Sequence, residues 1–73
     1  MNAEQILETL KTGMYTITFQ KMDGSISTMV GYSPIVAYVR TGNVVPVIDM
    51  NTGFWKSFRV DRLISIEPFN PYL

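Results

Sequence analysis

The chain has no cysteine and no histidine. Without cysteine there is neither a disulfide framework nor a thiolate metal site, a pattern that fits a reducing cytoplasm. With histidine absent as well, the usual zinc and iron ligands are missing. Catalytic triads and histidine-based acid–base schemes are excluded with them. Charge is scarce too: six basic and six acidic residues cancel to a formal net charge of zero. Nucleic-acid modules usually carry a positive excess, because phosphate neutralisation dominates their affinity. No apolar run approaches the ~20 residues that a membrane span needs. The N-terminus lacks the basic region and apolar core of a signal peptide. These absences predict a soluble cytoplasmic protein that is not an enzyme, holds no metal or cofactor and has no membrane partner.

Seventy-three residues make one domain. A chain this short buries only roughly 60–65% of the surface its unfolded form exposes. The core must therefore be thin. Asn2 to Thr12 reads as a short helix. Asn2 can cap the first turn and Gln5 stands three residues on, as in a capping box. Glu4 near the start and Lys11 near the end suit the helix dipole. Ala3, Ile6, Leu7 and Leu10 form one apolar stripe. Gly13 stands where a left-handed residue ends a helix. An isolated helix of this length barely holds in water, so the stripe must pack on something. It either plugs one end of a barrel or serves as a mobile arm that docks on a partner.

From Met14 the period changes to two. Tyr15, Ile17 and Phe19 point one way, and Thr16, Thr18 and Gln20 the other. Met22-Asp23-Gly24-Ser25 signals a hairpin of type I′. Ile26, Thr28, Val30 and Tyr32 alternate with Ser27, Met29 and Gly31, where Gly31 marks a bulge or sharp bend. Ser33-Pro34 breaks the run. Ile35 to Thr41 reads as a third strand, Val44 to Met50 as a fourth and Phe54 to Val60 as a fifth. Pro46 cannot donate a ladder hydrogen bond and belongs at an edge or a strand start. Asp61-Arg62 makes a tight corner before a closing strand over Leu63 to Ile66. About five or six short strands with frequent turn signals, after one helix, indicate a mainly β protein with a small, strongly bent barrel. The predicted fold is a short N-terminal helix followed by a five-stranded SH3-like or Sm-like barrel. The helix spans residues 2–12 and the barrel 14–66 of a single domain over 1–68. Residues 69–73 form an extended tail whose prolines bar a regular strand. Its Phe69 and Tyr72 either pack back on the barrel, contact a partner or stay free.

Two stretches carry a resemblance. Phe19-Gln20-Lys21-Met22-Asp23-Gly24-Ser25 and Asp49 through Ile66, with its Trp55-Lys56-Ser57-Phe58-Arg59 string and Asp61 corner, resemble a family of small phage-encoded proteins. That family has an Sm-like, SH3-type barrel and is related by name to the WYL domain. Lys56 departs from the arginine that the family pattern implies, which weakens any inference of bidentate anion binding. In length and in lack of catalytic groups the chain also resembles short phage proteins that bind host RNA polymerase and alter initiation or termination, one of them from a Xanthomonas phage.

Lys56, Arg59 and Arg62 lie close together with Trp55 beside them. On an ideal strand Trp55, Ser57, Arg59 and Asp61 share a face. Trp and Arg are enriched in binding hot spots. The bland reading places Trp55 in the core and pairs Arg59 with Asp49 or Asp61 on the surface. Tyr15, Tyr32 and Tyr38 could line a groove, although such tyrosines more often keep a buried ring and a wet hydroxyl. The expected function is a phage-type regulator that binds host RNA polymerase, as a monomer in the bacterial cytoplasm. Its contacts would be Trp55, Lys56, Arg59 and Arg62, with Ile6 and Leu10 on the helix as a second surface. One alternative is a nucleic-acid binder using Arg40, Arg59 and Arg62 beside Trp55 or Tyr32 as stacking platforms. Another is an assembly module paired through an edge strand.

Overall fold

The computed structural model describes residues 1–72; the Leu73 end of the expected tail lies outside them. Helix α1 spans Ala3–Leu10. Its start is the expected capping box. The Gln5 backbone N–H donates to Asn2 Oδ1, and the Asn2 N–H donates to Gln5 Oε1, both at 2.9 Å. The end differs from expectation. Gly13 does not take a left-handed conformation; among the described residues only Gly24 and Gly53 have positive φ. The last carbonyls find other donors. The Ser33 N–H donates to Leu10 O at 2.9 Å, and the Thr12 hydroxyl donates to Thr9 O at 2.7 Å. With these donors in place, no left-handed stop is required.

Five strands follow: β1 Tyr15–Gln20, β2 Ile26–Tyr32, β3 Val44–Asp49, β4 Trp55–Arg59 and β5 Leu63–Pro68. They form one bent antiparallel sheet in the order β4-β3-β2-β1-β5. A 3₁₀ turn over Val60–Arg62 makes the tight corner before β5. Cross-strand register decides which side of β2 is buried. Ile17 sits opposite Met29 and Tyr15 opposite Gly31, so Met29 and Gly31 share the face of buried Ile17. Ile26, the more apolar choice by alternation alone, is exposed. At Gly31 the strand passes from its β1 partner to β3, pairing with both Tyr15 and Asp49. A Cβ there would lie 2.8 Å from the Ile48 carbonyl oxygen, so glycine permits the close approach that bends the sheet.

Three readings of the strands are corrected. Ile35 to Thr41 is not a strand. It turns at Pro34, whose carbonyl accepts from the Ala37 N–H at 2.9 Å, and loops back to β3. It pairs with none of the five strands. The loop sends Ala37 into the core and leaves Ile35, Val36 and Tyr38 in solvent. The Asp23-Gly24 turn is not type I′, since only Gly24 has positive φ, at 90°. Gly24 N–H closes the turn on Lys21 O at 3.0 Å, and the Asp23 carboxylate accepts from the Ser25 N–H and hydroxyl. The closing strand also runs beyond Ile66 to Pro68, which pairs with Tyr15. Proline is tolerated there because β5 is an edge strand. Pro46 lies inside β3, but next to a local edge. The β2–β3 ladder pairs only Gly31 with Asp49 and Tyr32 with Ile48, and the Pro46 carbonyl accepts instead from the buried Ser33 hydroxyl at 2.7 Å.

The core joins the helix stripe to the inner face of the sheet. Ala3, Ile6, Leu7 and Leu10 pack with Ile17, Met29, Ala37, Val45, Val47 and Phe58. Phe19 and Phe58 stack across it, with centroids 6.3 Å apart. The helix is therefore the plug and not a docking arm. Ile6 and Leu10, expected as a second partner surface, are 1% and 0% exposed and have no free face to offer. Among the described residues no helix is long and apolar enough to cross a membrane.

Candidate functional site

The inner face of β3 carries Val45, Val47 and Asp49, all buried. Its outer face therefore carries Val44, Pro46 and Ile48. Opposite them on β4 stand Arg59, Ser57 and Trp55 in register. The expected shared face of Trp55, Ser57 and Arg59 is thus present, with Phe58 turned into the core. The loop that replaces the expected third strand runs alongside this face. Between them lies an open groove of about 520 Å³, lined by Val36, Tyr38, Arg40, Pro46, Trp55 and Lys56 among others. It continues toward Thr41 and Val44 past the same Tyr38, Arg40 and Pro46.

Apolar side chains dominate the rim. Val36 is 74% exposed, Tyr38 62% and Trp55 54%. Trp55 is thus a surface residue, and the reading that makes it core is set aside. Arg40 lies over the Tyr38 ring, its guanidinium carbon 5.9 Å from the centroid.

The other cations are committed elsewhere. Lys56 Nζ lies 2.6 Å from Asp49 Oδ2. Asp49 is buried, and its Oδ1 accepts from the Asn51 N–H at 2.8 Å. The Lys56 hydrogen bond, helped by that backbone donor, holds the Asp49 carboxyl below its usual range. Asp49 is therefore the structural centre of the β3–β4 turn, whose Gly53 N–H also donates to its carbonyl at 2.7 Å. Arg59 forms a two-pronged pair with Asp61, Nε to Oδ1 at 3.0 Å and Nη2 to Oδ2 at 2.9 Å. The Arg59 hydrogen bonds lower the Asp61 carboxyl in turn. Arg62 reaches back to the β1–β2 turn and donates to Lys21 O at 3.2 Å.

Of the four expected contact residues on this segment, Trp55 and Lys56 line the groove, and Lys56 does so with its charge already paired. Arg59 lies on the same face but is neutralised, and Arg62 points to another part of the surface. The contribution of Val36 comes from the loop that replaces the expected strand over residues 35–41.

A helix-plugged, strongly bent five-stranded sheet with a 3₁₀ corner before its last strand defines a small Sm-like, SH3-type barrel. The chain belongs to the family described as WYL_2, Sm-like SH3 beta-barrel fold, which matches residues 3–64. It is also similar to the uncharacterized 11.5 kDa protein in the Gp31-cd intergenic region of Enterobacteria phage T4. The two are 33% identical over 76 aligned residues, covering 85% of this chain and 74% of that protein. No solved structure gives a significant match.

Proposed function

We propose that the protein is a phage-type, non-enzymatic regulator that docks on host bacterial RNA polymerase and alters initiation or termination. The observation that carries the docking part is the clustering of Val36, Tyr38 and Trp55, all exposed, around one groove. Keeping apolar rings in water is unfavourable unless a partner covers them. Tryptophan and tyrosine are also the side chains that most often anchor protein interfaces. The phage relative supports the phage origin of the reading; the bacterial cytoplasm, the monomer and the large host machine belong to the proposal. A standard interface takes about 800 Å² from each partner, which a barrel of this size can supply. Position on the target, rather than chemistry, would produce the effect.

Charge favours a protein over a nucleic acid. Lys56 and Arg59 are paired with carboxylates, and among the described residues Arg40 is the groove's one cation without such a pair. A single free cation neutralises little of a phosphate backbone. The stacking of Arg40 on Tyr38 near Trp55 nevertheless resembles a base-stacking platform. That second reading predicts binding of single-stranded RNA that weakens steeply with salt.

Affinity purification of the tagged protein from bacterial lysate, followed by mass spectrometry, tests the first reading. It is expected to recover polymerase subunits with the wild type and to lose them with Trp55→Ala. Recovery of no subunit, or equal recovery with the variant, would overturn it.

A further inference from the structure

The groove sets apolar side chains beside a cation that, among the described residues, no carboxylate pairs. We propose that its occupant is an extended peptide segment of the partner protein. That segment places an apolar side chain between Trp55 and Tyr38 and a carboxylate, from Asp or Glu, on Arg40. The inference rests on the docking reading above and adds the chemistry of the ligand.

Shape supports an extended segment. The groove follows the outer face of β3, from the Ile48–Trp55 pair to Val44. Five strand residues span roughly 13–16 Å, which matches four or five residues of an extended chain. The floor is Pro46 and Ser57, small enough to let a backbone lie close.

Charge supports the carboxylate. Lys56 is answered by Asp49 and Arg59 by Asp61, whereas Arg40 has only the Tyr38 ring. The groove is thus left with one uncompensated positive charge, and Arg40 borders both of its parts. A guanidinium offers two parallel N–H donors to a carboxylate, a pairing that lysine cannot reproduce. With its guanidinium over the ring, Arg40 is positioned beside the apolar anchor before a ligand arrives. The apolar anchor and the charge are adjacent, so one short peptide can meet both.

Selection of a random-peptide library displayed on phage, against the immobilised full-length protein, tests this. Arg40 and Trp55 are both exposed, so Arg40→Glu and Trp55→Ala preserve the fold and serve as matched targets. The expected consensus from the wild type is an apolar residue followed or preceded by Asp or Glu. Arg40→Glu is expected to select Lys or Arg at that place instead. A selected peptide should change the fluorescence of Trp55, the sole tryptophan, and Arg40→Glu should weaken it at least about tenfold. Enriched apolar peptides with no acidic preference, or unaffected by Arg40→Glu, would overturn the proposal and leave the docking reading standing. Enrichment no greater than with Trp55→Ala would overturn both. A short oligoribonucleotide that displaces the peptides and itself depends on Arg40 would overturn the peptide in favour of nucleic acid.

Discussion

Replacing Gly31 by alanine probes the bend on which the whole site depends. The added Cβ would stand 2.8 Å from the carbonyl oxygen of Ile48. Carbon–oxygen contacts between strands ordinarily lie near ~3.3–3.6 Å, so one backbone must give way by about half an ångström. The obstacle is no flexible side-chain tip. Ile48 is held by Tyr32 on one side and Trp55 on the other, and the next residue, Asp49, is buried with Lys56 on its carboxylate. Overpacking of this kind costs about 1–3 kcal/mol. In a domain of this size each kcal/mol moves the midpoint by roughly 4–8 °C, so Tm should fall by about 5–20 °C. Thermal and urea unfolding followed by circular dichroism would measure it. Gly13→Ala is the control, since nothing lies within 4 Å of its added Cβ and its φ is not positive. That variant should match the wild type or gain up to about 1 kcal/mol. If Gly31→Ala unfolds together with Gly13→Ala, β2 does not approach β3 as described, and the argument for the bend fails.

Leu10 is fully buried between helix and sheet. Leu10→Ala should lose about 2–5 kcal/mol, read as a lower urea midpoint, and much of the native state with it; a small loss would show that the plug is loose. Trp55→Ala removes an exposed ring and should alter stability by no more than about 0.5 kcal/mol while abolishing partner capture, as chemical denaturation and affinity purification would show side by side. The third expectation concerns pH. The Asp49 and Asp61 carboxyls are held below their ordinary value of 3.8 by Lys56 and Arg59. A group depressed in the folded state contributes stability that is full above the unfolded value and is lost as pH falls through the folded one. Tm should therefore be flat near neutrality and drop below about pH 4. Lys56→Met should lower Tm near neutrality and shrink the acid-dependent part of the drop, a difference that Tm measured against pH would reveal.

Local patterns made most elements readable in advance. The Asn2–Gln5 capping box, the stripe of Ile6, Leu7 and Leu10, the alternation of Tyr15, Ile17 and Phe19 and the Asp61 corner all act within a few residues, and all are present. The errors share a different cause. Ile35 to Thr41 has strand composition, but a strand forms only where the segment pairs with a neighbour, and that pairing is decided by the whole sheet rather than by the segment. Gly13 looked like a helix stop because the donor that reaches Leu10 O comes from Ser33, far along the chain. The expected contact set failed in part for the same reason. Lys56 and Arg62 sit beside Trp55 in sequence, yet their partners, Asp49 and Lys21 O, are supplied by other strands and turns.

Periodicity and turn chemistry were enough to specify a capped helix, alternating strands, a tight corner and a chain poor in catalytic groups, because each of these is written in neighbouring residues. Only long-range packing determined that Ile6 and Leu10 disappear into the core, that one apolar segment stays a loop, and that this loop carries Tyr38 and Arg40 to the outer face of β3 beside Trp55. Those outcomes depend on pairing between distant segments, where register and burial are set by the competition of all the strands at once.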